Sequence, residues 1–132
     1  MRYSCQGEKI NPALTIGGVP QGAAALALVM DDPDAPNGTF DHWVTWNLPA
    51  SLTEIPENWT PEPGVSVGAN GAGSNEWYPP CPPSGTHHYH FKLYALDAKL
   101  DLAEGSSKVE LEKAMEGHIT AQTELVGTYA KQ

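Results

Sequence analysis

Residues 77–96 read WYPPCPPSGTHHYHFKLYAL, a stiff proline loop that runs directly into a strand headed by histidine. Pro79, Pro80, Pro82 and Pro83 each fix φ and lack an N–H, so the loop can neither begin a helix nor enter a sheet interior. It predicts a rigid rim. Beyond Ser84-Gly85-Thr86 the residues alternate with a period of two. His87, Tyr89, Phe91, Leu93 and Ala95 fall on one face, and His88, His90, Lys92, Tyr94 and Leu96 on the other. The first face is the more apolar and is expected to be buried. His87 and Tyr89 then stand at its mouth end beside the rim, while His88 and His90 share the wetter face with Lys92.

Three earlier stretches lead to the same pattern. AAALALVM, residues 23–30, contains good helix formers but is too short for a typical helix and lies between Gly22 and an Asp-Pro turn, so it predicts a buried strand. In DDPDAPNG, Pro33 and Pro36 push their preceding residues towards extended backbone and Asn37-Gly38 turns the chain, which places Asp32 and Asp34 on a stiff loop at a strand end. The run from His42 to Leu48 predicts a second histidine-led strand, with His42, Val44, Trp46 and Leu48 on one face and Trp43, Thr45 and Asn47 on the other.

The remainder is more loosely written. Residues 1–22 leave room only for short extended pieces near Tyr3 and at 13–16, and residues 49–73 read as a long surface excursion with VSVG as its one strand-like fragment. Ser107-Lys108-Val109-Glu110 has capping-box spacing, predicting a helix to about Gly117 with Leu111, Ala114, Met115 and His118 on one face. Alternation from Ile119 to Tyr129 predicts a closing strand.

At 132 residues a single domain with its own core is expected. Seven basic against sixteen acidic residues give a net charge of −9, the wrong sign for gripping nucleic acid or anionic lipid through a basic patch. Cys5 and Cys81, the only cysteines, make no disulfide framework. The opening residues do not read as a signal peptide and no apolar run is long enough for a transmembrane segment, so a soluble cytoplasmic protein is expected.

Asp32, Asp34, His42, Cys81, His87 and Tyr89 are the candidate functional groups. Asp-Pro turns often serve only to cap backbone, and a lone histidine is ordinarily a core residue bonded to a carbonyl. Two histidines in the same local context make a site the competing reading. Imidazoles held by carboxylates would have fixed rings and raised pKa values and would present N–H groups to an anion, with backbone N–H groups at 84–86 adding donors. Two other chemistries stay open. One is a cysteine-dependent hydrolase with Cys81 as nucleophile and His87 as base, weakened by the missing N–H groups of Pro82 and Pro83. The other is a His/Asp metal-site enzyme.

The elements YSCQGEKINPAL, DDPDAP, DHWVTWNLP, PPCPPSGTHHYHFKLYALD and LEKAMEGHITAQTELVGTY, in this order, resemble the phosphatidylethanolamine-binding proteins, in particular their bacterial and archaeal Raf-kinase-inhibitor-like branch. The resemblance implies a mainly β fold, an antiparallel β-sandwich of a large central sheet and a smaller sheet with one C-terminal helix. It also implies a surface cavity for phosphate-type anions and phospholipid headgroups. No complete catalytic constellation is legible in the residues, so neither catalysis nor a cofactor is expected. Matched by motif, the cavity comprises Asp32, Asp34, Pro36, His42, Cys81, Pro82, His87 and Tyr89, with Phe40 near the rim. The chain departs from the family pattern by lacking an opening segment ahead of Arg2, which would bare a sheet edge and favour a homodimer. It also has Pro79 where glycine is common. The kinase-binding role of eukaryotic members has no support in these residues.

Overall fold

The computed structural model describes residues 11, 13–33, 39–61, 63–78 and 86–130, with backbone alone at 86, 87 and 126–130. Seven strands and one helix follow in the order β1 (Leu14–Thr15), β2 (Ala25–Asp32), β3 (Phe40–Pro49), β4 (Glu54–Ile55), β5 (Ser66–Val67), β6 (Thr86–Leu96), α1 (Lys108–Met115) and β7 (Ile119–Ala130). Five of the strands form an antiparallel sheet in the order β5-β3-β2-β6-β7, and β1 pairs with β4 in a small second sheet. The expected mainly β architecture, with a large sheet, a small one and a helix near the C-terminus, is therefore observed. Strand β4 was not anticipated, because two residues amid prolines carry no period.

Strand β2 is the central strand, paired on both sides, and all eight of its residues are buried. A strand covered on both faces needs no polar alternation, which is why ALALVM reads as a continuous apolar run. Its side chains feed two cores. Leu26, Leu28 and Met30 pack with Ile16, Trp43, Leu48, Ile55, Tyr89 and Ala95 on the small-sheet side. Ala27 and Val29 pack with Val44, Trp46, Leu96, Leu100, Leu111 and Met115 on the helix side. Complete burial of a side chain of leucine size contributes roughly 1.5–3 kcal/mol, so β2 is the main apolar anchor of both layers. The expected inward face of β6 is also found, with Phe91 and Leu93 packed against the first core and His88 exposed.

Helix α1 begins as its sequence predicts. Ser107 Oγ accepts from Glu110 N at 3.2 Å, Glu110 Oε1 accepts from Ser107 N at 2.9 Å, and Leu111 and Met115 are buried beneath it. The helix ends at Met115, so His118 does not extend its apolar face. Instead His118 Nδ1 lies 2.8 Å from Asp97 Oδ1 at the surface.

Strand β3 departs from simple alternation at two points. Leu48 pairs with Leu26 but Thr45 pairs with Leu28, so β3 carries an extra residue there. Asn47 adopts φ 60° in that stretch, a left-handed conformation that asparagine tolerates better than most residues. Its side chain donates to Leu100 O at 2.9 Å and accepts from Leu100 N at 2.8 Å. The predicted face of His42, Val44, Trp46 and Leu48 is thereby divided, Val44 and Trp46 facing the helix and Leu48 the small sheet. Asn47→Ala should destabilise the protein by about 2–4 kcal/mol through two lost hydrogen bonds and left-handed strain. Asn47→Gly should cost roughly 1 kcal/mol less, because it loses the same hydrogen bonds but accepts the left-handed backbone without strain. Urea titration of both variants checks this, and equal losses would contradict the role given to backbone conformation.

Candidate functional site

The second irregularity of β3 builds the site. Trp43 pairs with Met30 and Asp41 with Asp31, leaving His42 as the extra residue between them. Asp41 turns towards α1, where Lys108 Nζ stands 3.0 Å from its Oδ1, whereas Trp43 packs in the small-sheet core. The bulge lets His42 leave the alternation and join the aromatic residues at the mouth of that core, the re-aiming for which such bulges are suited.

A loop over residues 68–78 fixes the imidazole from the other side. Gly68 N donates to Val44 O at 2.7 Å, Gly71 N to Asp41 O at 2.7 Å and Tyr78 N to His42 O at 2.8 Å, so the loop runs alongside β3. Asn70, 5 % exposed, organises it. Its Nδ2 donates to Glu76 O at 2.9 Å, and its Oδ1 accepts from Ala72 N at 2.9 Å and Ser74 N at 3.1 Å. Gly71 lies so close to Phe40 that a Cβ there would come within 2.5 Å of the ring, which makes the glycine a backing plate for that aromatic. The loop returns its last described carbonyl to the site, because Tyr78 O lies 2.7 Å from His42 Nδ1.

Four rings gather around this contact. Phe40 meets His42 edge-on with centroids 4.8 Å apart, and Tyr89 meets it edge-on at 5.2 Å. Tyr78 lies 5.3 Å from Phe40 and 6.0 Å from His42. Asp32 is opposite Phe40 in the sheet register and is 2 % exposed. The structure thus brings together Asp32, Phe40, His42 and Tyr89 of the expected set. It places His87 by backbone only, on β6 opposite Tyr129 of β7. Asp34, Pro36, Cys81, Pro82 and the side chain of His87 lie outside the described residues, as do the N–H groups expected at 84 and 85.

The electrostatics of His42 differ from the sequence expectation. A carbonyl only accepts, so Nδ1 carries the proton in the bond to Tyr78 and the neutral ring presents Nε2 as a lone pair. Among the described residues the ring is held by a backbone carbonyl and not by a carboxylate. Burial disfavours the charged imidazole and lowers its pKa below 6.5, against the bond to Tyr78 O and the attraction of Asp32, Asp41 and Asp31. The expected raised pKa is therefore corrected to a lowered one. Desolvation wins because the imidazole is 4 % exposed and its one partner among the described residues is uncharged. Among the described residues no set of three histidine, cysteine, aspartate or glutamate side chains is grouped to hold a metal, and no helix is long and apolar enough to cross a membrane.

Asn70 and Gly71 are not singled out in the sequence, where 49–73 reads as a surface excursion, and Tyr78 reads there only as part of the stretch that opens the proline rim. The signal was present in GANGAGSN, since asparagine between glycines is the usual marker of a turn closed by its own side chain.

Residues 1–130 match the family model described as phosphatidylethanolamine-binding protein. A UPF0098 protein of Pyrococcus horikoshii is 48% identical over 140 residues, covering 99% of this chain and 70% of that protein. A UPF0098 protein of Methanothermobacter thermautotrophicus is 47% identical over 135 residues, covering 98% of this chain and 89% of that protein. Among solved structures, a phosphatidylethanolamine-binding protein homolog from Chlamydia trachomatis superposes with a TM-score of 0.95 at 41% identity, covering 99% of this chain and 88% of the other. YbcL of E. coli, described as a member of the mammalian family, gives 0.87 at 30% identity, covering 98% and 85%.

The lowered pKa of His42 has a measurable sign. As pH falls below 6.5, the unfolded chain takes up this proton before the folded protein does. The stability contributed by the neutral imidazole is complete above that value and is lost as pH descends towards the folded pKa. NMR titration of the His42 ring should give a midpoint below 6.5, and His42→Gln should flatten the corresponding decline in stability. A midpoint at or above 6.5 would show that burial does not govern the ring.

Proposed function

Because the chain belongs to the phosphatidylethanolamine-binding protein family, we propose that the site around His42 binds a small phosphate-type anion, either free or as the headgroup of a phospholipid. The observation that carries this reading is the commitment of His42 Nδ1 to Tyr78 O at 2.7 Å. It fixes the ring and leaves Nε2 as the nitrogen able to meet a ligand. At neutral pH Nε2 can accept from the P–OH of a monoprotonated phosphate, or take up a proton and donate to a dianion. Both routes place one proton between imidazole and phosphoryl oxygen. Tyr89 and Phe40 supply the walls and exclude water, which strengthens that contact. Asp32 adds a carboxylate suited to the ammonium of phosphoethanolamine. In this proposal Asp34, Pro36, Cys81, Pro82 and His87 complete the wall.

The protein acts in this reading by binding and not by catalysis, in the cytoplasm. The hydrolase and metal-enzyme alternatives depend on Cys81 or His87, and the relatives named above carry no enzyme name.

Calorimetry with inorganic phosphate and with phosphoethanolamine at pH 6 and pH 8, in buffers of different ionisation heat, tests the proposal. Expected are saturable binding that is tighter at pH 6, net proton uptake, and a loss of about tenfold or more in affinity for His42→Gln, the scale of one charge-assisted hydrogen bond. No saturable heat with either compound, or unchanged affinity in the variant, would overturn it. Preference for phosphoethanolamine over phosphate would identify the headgroup as the better ligand.

A further inference from the structure

Lys108 is the first residue of α1, a poor place for a cation because the positive end of the helix dipole lies there. Its position is explained on the sheet instead. The side chain is 16% exposed, and Nζ lies 3.3 Å from Asp31 Oδ2 and 3.0 Å from Asp41 Oδ1. At Asp31 it makes a hydrogen bond. At Asp41 the contact is an ion pair outside hydrogen-bond geometry, since Oδ1 is buried without a hydrogen-bond partner. Lys92 on β6 adds a second cation, with Nζ 3.1 Å from Asp31 Oδ2.

These acids are the chain neighbours of the site. Asp31 adjoins Asp32, Asp41 adjoins His42, and Asp31 and Asp41 are paired across β2 and β3. The sheet thus sends one carboxylate of the acidic pair to each side, Asp31 to the lysines and Asp32 towards the aromatic mouth. We propose, resting on the reading of the His42 site as an anion site, that Lys108 is a positioning residue for it from the opposite face of the sheet. By gripping Asp31 and Asp41 together it holds the two strand ends that carry Asp32 and His42, and it offsets the negative charge beside the imidazole.

The groups around His42 fix the direction of the effect. Asp31 and Asp32 of β2 and Asp41 of β3 all favour its protonation. Tyr78 on the loop and Tyr89 on β6 flank it with their rings. Lys108 and Lys92 stand behind the acids. Without Lys108, two carboxylates act on His42 less compensated. Without the charge of Asp41, Lys108 is in excess.

NMR titration of His42 in ligand-free Lys108→Met, Lys108→Arg and Asp41→Asn tests this. The expected midpoint rises by about half a pH unit in Lys108→Met, falls by a similar amount in Asp41→Asn, and stays near the parent value in Lys108→Arg, shifts of the size that one partly screened charge produces. A purely structural role would loosen the packing in both neutralising variants and raise both midpoints, because the ring would become better solvated. A rise in Asp41→Asn, or no shift in either neutralising variant, therefore overturns the proposal. If Lys108→Met does not fold, Lys108→Gln takes its place, with the same rise expected and the absence of a rise overturning the proposal. Because no ligand is present, failure of phosphate to bind would remove the anion reading without moving these midpoints.

Discussion

Complete burial of β2 is the constraint on which the rest of the molecule depends. A strand paired on both edges and covered on both faces has nowhere to send a charge, yet β2 ends in Asp31-Asp32, each 2 % exposed. Alternation sends the two carboxylates to opposite sides of the sheet. Lysines from β6 and α1 meet Asp31. Asp32 is left facing the mouth where Phe40, His42 and Tyr89 gather. Isolated carboxylates at such depth would be costly, and breaking a buried pair by removing one partner typically costs about 3–5 kcal/mol.

The irregularities of β3 serve the same division. A strictly alternating β3 would send His42 towards the helix with Val44 and Trp46. The bulge at His42 aims the ring into the mouth, and the one at Asn47 carries Leu48 back to the small-sheet core. Each is secured by polar contacts to a distant segment, His42 to Tyr78 and Asn47 to Leu100. Residues 68–78 and the connection before α1 are therefore parts of the sheet's geometry, although neither contributes a long strand. Gly68 shows how close these layers come, because a Cβ there would lie 2.4 Å from Ser106 O and 2.7 Å from the Trp46 ring.

Anion binding of the proposed kind turns on a proton. A neutral imidazole whose Nδ1–H is already engaged can meet a phosphate that brings its own proton, but meets a fully ionised one only after Nε2 is protonated, and burial opposes that step. Nearby carboxylates ease it, and the lysines behind them moderate how much. The proposed anion affinity is thus a balance among desolvation, the acids and the lysines, with no single charge responsible.

By itself the sequence determined the elements with strong local signatures. The apolar run expected at 23–30, found as the buried strand Ala25–Asp32, the alternation of 87–95, the capping box at Ser107 and the closing strand are all written in nearest-neighbour chemistry, and the ordered motifs carried the family resemblance. It also supplied Asp32, His42 and Tyr89 as candidates, from turn chemistry and strand position. Only the tertiary structure decided which way His42 points, what holds it and the sign of its pKa shift. A bulge is fixed by pairing with β2, the carbonyl at Tyr78 is brought in by a loop 36 residues away, and desolvation exists only once distant segments close over the ring. The grip of Lys108 on two strands belongs to the same class, because a charge pair separated by 77 residues leaves no period or motif in the chain.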